Sequence, residues 1–260
     1  MVQSVNNEAK SSFAEVLRAN AIGLIVNPIA GMGGAVGLKG TDGQEILNKA
    51  IALGAKPTAP ARAETFLSEL NLQEKGTQLI VGAGNMGENE AEKSHLTFSV
   101  VGENKVETYA EDTRKIAKKM IKSRVDLIVF CGGDGTARDI LEAAGTTTPV
   151  LGVPTGVKMH SAVFAVSPQA AARVVQRFMA GQLPLREAEV MDVDEEAFRS
   201  GRLSAELHGY VLTPYEPHLI QANKIATPMT ESELRNQAAA ALYVIENMKP
   251  EVTYIMGPGT

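Results

Sequence analysis

The chain has 260 residues, 44% of which are hydrophobic, with one cysteine and no tryptophan. These figures predict a globular protein of one large or two modest domains, and a single cysteine excludes an internal disulfide. The net charge of -5 at pH 7 and the pI of about 5.5 argue against nucleic-acid binding, which calls for a basic face. We therefore expect a cytoplasmic protein that does not bind nucleic acid.

The N-terminal extension, residues 1–20, contains no continuous apolar stretch. It predicts neither a signal peptide nor a membrane span, so we expect no membrane partner. The apolar run at 22–26 predicts the first buried strand, and Asn27-Pro28 begins a loop that contains several glycines. A glycine-rich loop after the first strand of an open parallel sheet is a common ligand site, although such clusters also mark ordinary turns.

Two helices and a second strand are predicted next. Apolar residues recur at helical spacing twice between positions 37 and 76, and glycines and prolines separate the two segments. The strand at 79–81 is followed by residues 82–87, GAGNMG, a formal GxGxxG motif of dinucleotide-binding proteins. We interpret it as a plain loop at a strand end, because Glu88 and Glu90 stand where a pyrophosphate would bind.

A third strand is predicted at 97–101 and a helix at 107–122. The helix starts with Glu111 and Asp112 and ends with lysines, an order that suits the helix dipole. We interpret these charges as a solvent-exposed face. Ligand binding by Thr108 or Asp112 is the alternative.

The central stretch, residues 125–140 (VDLIVFCGGDGTARDI), predicts a buried strand, a tight loop and a helix. We expect Gly132, Gly133 and Gly135 to adopt positive φ and to let an anion approach their backbone N–H groups. The N-terminus of the following helix adds unpaired N–H groups, so the stretch predicts a phosphate-binding loop. Cys131, with no His or Lys beside it, is expected to be a small buried apolar residue.

Asp134 is unusual inside a loop that holds phosphate, because its carboxylate repels the ligand. One interpretation is chemical: the carboxylate accepts a proton from a hydroxyl group or contacts a metal bound to the phosphates. The other is structural, with Asp134 shaping the turn or capping the helix. The sequence leaves both open.

The run at 149–154 predicts a further strand, followed by Thr155, Gly156 and Lys158 in another loop of small residues. Loops of this kind therefore follow three predicted strands, and we expect them to share one crevice at the carboxyl edge of the sheet. Lys158 is suited to neutralise phosphate charge. His160 either positions a hydroxyl group or, in the interpretation we prefer, is a satisfied histidine within a helix.

Ser167-Pro168 predicts a helix start, and Gly181 its end. The elements up to residue 185 therefore predict an α/β nucleotide-binding domain at 21–185, with a mostly parallel doubly wound sheet. Alternating apolar residues then predict a smaller β-rich portion at 186–228. An acidic cluster in this portion is interpreted as a solvated turn rather than a metal site. It consists of Asp192, Asp194, Glu195 and Glu196.

The last segment, 229–260, predicts the start of a further α/β segment, with a helix at 231–248 and a strand at 252–256. No crossover helix follows this strand, which is apolar on both faces. We therefore expect a shortened chain that forms a homo-oligomer through the uncovered strand.

Three segments resemble a known family: IVNPIAGMGG, GGDGTARDI and VPTGVKMHSAVFAVSP. The pentapeptide GGDGT after a buried strand resembles the signature of the superfamily of NAD kinases, diacylglycerol kinases and sphingosine kinases and, more distantly, phosphofructokinase. Together the segments resemble the acetoin catabolism protein X branch of the ATP-NAD kinase-like family, over roughly residues 21–260.

The resemblance implies an ATP-dependent phosphotransferase that phosphorylates the 2′-hydroxyl of the adenosine ribose of NAD to give NADP. Asp134 would be the catalytic base, and Mg²⁺ would arrive bound to the ATP. The nucleotide phosphates would lie against the glycine-rich loops. The positions concerned are Asn27, Pro28, Gly31, Gly33, Gly34, Gly132, Gly133, Gly135, Thr136, Thr155, Gly156 and Lys158.

One fingerprint of NAD kinases is missing. No Asn-Glu or Asn-Asp pair stands immediately before the β-rich portion, where NAD kinases hold the ribose and nicotinamide side of NAD. Two alternatives therefore stay open: a kinase of another small metabolite, and a non-catalytic nucleotide-binding accessory protein linked to acetoin catabolism. ATP-dependent formation of NADP distinguishes them from an NAD kinase.

Overall fold

The computed structural model describes residues 20–38, 44–72, 76–156, 159–193, 205–221, 238, 241–249 and 251–254. Residues 1–19 of the N-terminal extension, Lys158 and the acidic residues 194–196 lie outside the described residues. The chain divides into two compact units, Met1–Asn223 and Lys224–Thr260.

The first unit is built on a five-stranded parallel sheet. Its strands are β1 (Ala21–Val26), β2 (Gln78–Gly82), β3 (Phe98–Val101), β4 (Leu127–Gly132) and β5 (Val150–Pro154). Their order in the sheet is β3-β2-β1-β4-β5, and every neighbouring pair is parallel. The strands β1 and β4 are buried at every position, as their continuous apolar runs require when helices cover both faces. The predicted parallel α/β sheet is confirmed.

Helices follow the strands, and two short ones, Met32–Ala35 and Glu88–Glu92, stand where the sequence predicted loops. Those described in the first unit are α1 (Met32–Ala35), α2 (Gln44–Ala52), α3 (Ala59–Glu69), α4 (Glu88–Glu92), α5 (Ala110–Lys122), α6 (Asp134–Ala144) and α7 (Pro168–Met179). The helix α7 begins at the predicted cap, where Ser167 Oγ accepts from the amide of Ala170 at 3.1 Å. Asp112 caps α5 by accepting from the amide of Tyr109 at 3.0 Å and pairs with Lys105, so its role is structural.

Two apolar cores lie on opposite faces of the sheet. On one face α3, α4 and α7 pack against the strands, with Phe66 and Val174 fully buried. On the other face α5 and α6 do the same, through Met120 and Ile140. Each such side chain stabilises the fold by about 1.5–3 kcal/mol relative to its exposed state. The two cores hold the strand ends, and hence the loops that follow them, in fixed positions.

Two antiparallel strands, β6 (Leu185–Val193) and β7 (Ala205–Pro214), form a separate sheet. Their pairing register shifts between Val190 and Met191. Ala188, Val190 and Val211 pack into the core on the α5 and α6 face. The β-rich portion predicted after residue 185 is therefore confirmed, and it packs directly against the helix that follows β4.

In the second unit, residues 241–246 are helical, in agreement with that part of the predicted helix at 231–248. The strand predicted at 252–256 is wrong for its described residues, 252–254, which lie in no strand. Glu251 has a φ of 66°, and the amide of Lys249 donates to the hydroxyl of Tyr254 at 2.8 Å. This left-handed residue and hydrogen bond turn the chain back towards the end of the helix, which prevents an extended strand.

Candidate active site

The loops that follow β1, β4 and β5 meet at one edge of the sheet. These strands are neighbours, and parallel strands end at the same edge. The chain passes from β1 to β2 on one side of β1 and later enters β4 on its other side. The strand order therefore reverses between β1 and β4, and the crevice at such a reversal is the usual ligand site of an open α/β sheet.

Asn27 ties the loop after β1 to the loop after β4. Its Nδ2 donates to Thr136 Oγ1 at 2.9 Å, and its Oδ1 accepts from the amide of Ile29 at 3.3 Å. Its own amide donates to the carbonyl of Cys131 at 3.0 Å. The Asn27 side chain therefore serves as a scaffold that holds two loops of the crevice together, with Pro28 in the turn that follows.

Gly31 brings the loop after β1 against the loop after β5. It has a φ of +84°, and a Cβ at this position would lie 2.3 Å from the carbonyl oxygen of Thr155. Only glycine combines this backbone conformation with such a close approach. Gly33 and Gly34 lie within the single turn of α1, rather than in an open loop.

The glycines of the GGDGT loop do not adopt the expected conformation. Gly133 has φ −112° and ψ −168°, and neither Gly132 nor Gly135 is among the residues with positive φ. The predicted positive φ values are therefore wrong, because the chain runs extended from β4 straight into α6. Gly132 is needed for space, since a Cβ there would lie 2.4 Å from Thr136 Oγ1.

Open space lies beside Gly133, where a Cβ would meet no atom within 4 Å. This residue directly precedes α6, whose N-terminus has no side-chain cap. The first N–H groups of a helix have no carbonyl partner within it, and the helix dipole is positive at this end. An anion can therefore bind at this position, as the sequence predicts.

Asp134 is the first residue of α6, and its carboxylate holds the loop after β5. Its Oδ2 accepts from the amide of His160 at 2.9 Å. Its Oδ1 accepts from the amide of Ser161 at 2.9 Å and from the Ser161 hydroxyl at 2.6 Å. The side chain is half-buried. Asp134 thus organises the loop after β5, whereas the structural interpretation has it shape its own turn or cap α6, which has no side-chain cap. It also lies at the crevice, where the chemical interpretation needs it.

The loop after β5 is anchored at its far end. The amide of Gly152 donates to the carbonyl of Val163 at 3.0 Å, and the amide of Ala165 donates to the carbonyl of Gly152 at 2.9 Å. A Cβ on Gly152 would lie 2.3 Å from the ring of Phe164, which packs edge-on against Phe130. This packing fixes the position of His160 and Ser161 within the crevice.

Two buried polar atoms of this loop, Thr155 Oγ1 and His160 Nδ1, have no hydrogen-bond partner in the described part of the chain. An unsatisfied buried polar atom costs about 1–3 kcal/mol, so both atoms are suited to bind a ligand. The interpretation of His160 as a satisfied histidine in a helix is wrong, because it lies in irregular structure. Gly156 is exposed beside them, whereas the phosphate contact predicted for Lys158 stays a prediction.

The GxGxxG loop after β2 has its own internal partner. The amide of Gly84 donates to Glu88 Oε2 at 2.7 Å, and residues Gly84–Met86 form a 3-10 turn before α4. A carboxylate therefore already occupies an amide that a pyrophosphate would need. This arrangement agrees with the interpretation of the motif as a plain loop.

Glu90, which the sequence predicted to stand beside the GxGxxG loop, is a buried acid in α4. It is 3% exposed, and its Oε2 has no hydrogen-bond partner among the described residues. Burial raises the pKa of Glu90, although its own backbone and Lys93 oppose the shift. Burial also raises the pKa of the Cys131 thiol well above its ordinary value, and the Glu90 carboxylate adds to that shift. Cys131 is thus a buried, unreactive thiol, as predicted.

Ser161 is a residue of the site, hydrogen-bonded to Asp134, that sequence reasoning missed. The one signal for it in the sequence is a hydroxyl residue directly before an apolar segment, AVFAV.

Among the described residues, no group of three or more His, Cys, Asp or Glu side chains is arranged to hold a metal ion. None of the described helices is long and apolar enough to cross a membrane.

A doubly wound sheet with a helix N-terminus in its reversal-point crevice is the arrangement in which α/β proteins commonly bind phosphorylated ligands. A family profile described as the ATP-NAD kinase N-terminal domain matches residues 22–183 of the chain. The protein belongs to the ATP-NAD kinase family, and it is therefore an ATP-dependent kinase of the NAD kinase type.

Among solved structures, the chain is similar to a diacylglycerol kinase from Bacillus anthracis str. Sterne. The identity is 14%, the similarity covers 78% of this chain and 69% of that chain, and the TM-score is 0.33. No curated protein matches the chain.

Proposed function

We propose that this protein is a cytoplasmic NAD kinase that transfers the γ-phosphoryl group of ATP to the 2′-hydroxyl of the adenosine ribose of NAD. The observation that carries the proposal is the position of Asp134. It lies at the N-terminus of α6, in the crevice where the loops after β1, β4 and β5 meet. A carboxylate beside an anion site suits the deprotonation of a hydroxyl group that attacks a phosphate.

In the proposed reaction the acceptor oxygen attacks the γ-phosphorus and its proton passes to the carboxylate of Asp134. The bond between the γ-phosphorus and the bridging oxygen breaks, and ADP leaves. The N–H groups at the start of α6 stabilise the charge on the phosphates. Thr155 Oγ1 and His160 Nδ1, which lack partners in the described structure, are suited to orient the acceptor hydroxyl or a phosphate oxygen.

A metal ion that arrives with ATP would be held mainly by the phosphates. Mg²⁺ keeps several waters and needs few protein ligands when phosphates supply the others. The remaining lone pair of Asp134 Oδ2 is assigned to the proton of the acceptor hydroxyl and not to this ion. Bound to the phosphates, Mg²⁺ would neutralise part of their charge.

A second candidate function is phosphorylation of another small metabolite. It is favoured by the absence of an Asn-Glu or Asn-Asp pair immediately before β6, where NAD kinases bind the ribose and nicotinamide side of NAD. The two candidates share the ATP site and the role of Asp134. They differ only in the acceptor.

The test is an assay with purified full-length protein, ATP, Mg²⁺ and NAD, in which an NADP-specific dehydrogenase detects NADP. ADP release is measured in parallel with NAD, with a set of hydroxylated metabolites, and with no acceptor. NADP formation supports the NAD kinase. ADP release that depends on another acceptor supports the second candidate, whereas ATP binding with no transfer to any acceptor supports a non-catalytic accessory protein.

A further inference from the structure

Ser161 lies between Asp134 and the β6 strand, and it is 1% exposed. Its Oγ accepts from the amide of Met191 at 3.0 Å. Two acceptors are in reach of its single hydrogen: Asp134 Oδ1 at 2.6 Å and the carbonyl of Met191 at 3.4 Å. The charged oxygen is the nearer and the stronger acceptor, so the hydroxyl donates to Asp134.

The hydrogen bonds distinguish the two oxygens of the Asp134 carboxylate. Oδ1 accepts from both the amide and the hydroxyl of Ser161, which uses its two lone pairs. Oδ2 accepts only from the amide of His160 within the described structure, which leaves one lone pair. Oδ2 is therefore the oxygen that can accept a proton.

The backbone of β6 fixes the Ser161 hydroxyl. The amide of Met191 donates to it, and the carbonyl of Glu189 accepts from the amide of Ala162 at 2.9 Å. Met191 stands at the point where the register of β6 with β7 shifts. The β6 strand begins after residue 183, where the match to the family profile ends. The strand β6, which lies outside the residues matched by the family profile, thus contacts Ser161, the residue that donates to Asp134.

We propose that Ser161, held by β6, is a positioning residue that fixes Asp134 with Oδ2 free to take the proton of the acceptor hydroxyl. The inference rests on the proposed kinase function and deepens it. It assigns the backbone of β6 to the active site. Loss of the hydroxyl leaves Oδ1 with one hydrogen bond, from the amide of Ser161, and lets the carboxylate rotate. A smaller fraction of the protein molecules then holds Oδ2 in position to take the proton.

The test compares kcat and KM for ATP in wild-type protein, Ser161→Ala and Ser161→Thr. For Ser161→Ala we expect kcat to fall by roughly 10–100-fold, the rate equivalent of one hydrogen bond to a charged group, with KM for ATP within about twofold. Ser161→Thr keeps a hydroxyl group and should restore most of kcat. Ser167→Ala, which removes the cap of α7, is the matched control and should keep the wild-type kcat.

The same substitution is then made in Asp134→Asn. If Ser161 acts through Asp134, Ser161→Ala should change the residual rate of this variant by less than about twofold, because coupled residues are not additive. A full additional loss overturns the proposal, and so does a wild-type kcat in Ser161→Ala. If Ser161→Ala fails to fold, Ser161→Thr decides: restored kcat supports the proposal, and a large loss with intact ATP binding overturns it.

Assays of the wild-type protein distinguish failure of this proposal from failure of the proposed function. Wild-type protein that binds ATP but transfers no phosphoryl group overturns the kinase function and the positioning role together. Wild-type transfer with an unaffected Ser161→Ala overturns the positioning role alone.

Discussion

Asp134 holds the loop after β5 through three hydrogen bonds, and in the proposed reaction it is also the catalytic base. Replacement by Asn keeps the size of the side chain and removes the charge and the base. We expect Asp134→Asn to lower the transfer rate by roughly 10²–10⁴-fold, the usual contribution of a general base. ATP affinity, measured by calorimetry, should change little. The exposed Glu142→Gln on the same helix is the control with wild-type kcat. Near-wild-type turnover of Asp134→Asn would make Asp134 a loop-forming residue only.

Glu90 makes stability depend on pH. Because burial raises its pKa above the ordinary 4.5, the folded state binds more protons than the unfolded state above that pH. The free energy of unfolding contributed by Glu90 is therefore highest in acid and falls as pH rises from about 4.5 through the raised pKa. Glu90→Gln should flatten this part of the profile in denaturant titrations at several pH values.

Asp139 has a pKa that burial raises in spite of the neighbouring Arg114, so part of the slope should remain in Glu90→Gln. Glu92→Gln, on the exposed side of the same α4 helix, is the control and should keep the wild-type profile. Identical slopes in wild type and Glu90→Gln would show that Glu90 is solvated in solution.

At the scale of the elements, two glycines of the crevice loops should respond differently to a side chain: Gly31 through the stability of the fold and Gly133 through the binding of ATP. Gly133 has a φ that any residue adopts, and a side chain there points into open space. Gly133→Val should therefore keep the melting temperature but weaken ATP binding, because the side chain fills the anion site. Gly31→Val should lower the melting temperature, since its Cβ would lie 2.3 Å from the carbonyl oxygen of Thr155. Calorimetry and thermal unfolding of both variants check this contrast. Unchanged ATP affinity in Gly133→Val would place the nucleotide elsewhere.

At the scale of the whole molecule, self-association is expected from the second unit. Leu242, Tyr243, Val244 and Ile245 are 56%, 69%, 57% and 63% exposed. Consecutive exposed apolar side chains favour contact with another chain. We predict that the full chain is a homo-oligomer in light scattering, and that Leu242→Glu with Ile245→Glu lowers its mass. Removal of residues 224–260 should have the same effect on the mass. An unaltered mass in both variants would contradict the prediction.

The sequence by itself determined the five parallel strands, the longer helices between them and the α/β class, and it predicts an anion site at the GGDGT loop. These features depend on local patterns: continuous apolar runs for strands buried on both faces, helical spacing, and glycines and caps at the ends of elements. The start of α7 at Ser167-Pro168 and the burial of Cys131 follow from the same local rules.

The tertiary structure alone decided which loops touch and how. Ser161 donates to a carboxylate 27 residues away, and Asn27 donates to a hydroxyl 109 residues away. Such bonds depend on which strands are neighbours in the sheet, and the spacing of residues along the chain does not specify that. The extended Gly133, the irregular structure around His160 and the turn at Glu251 depend in the same way on distant packing and on single hydrogen bonds. For this reason the sequence placed Asp134 in the crevice, and only the fold showed that the hydrogen bonds of the described residues leave one lone pair on its Oδ2.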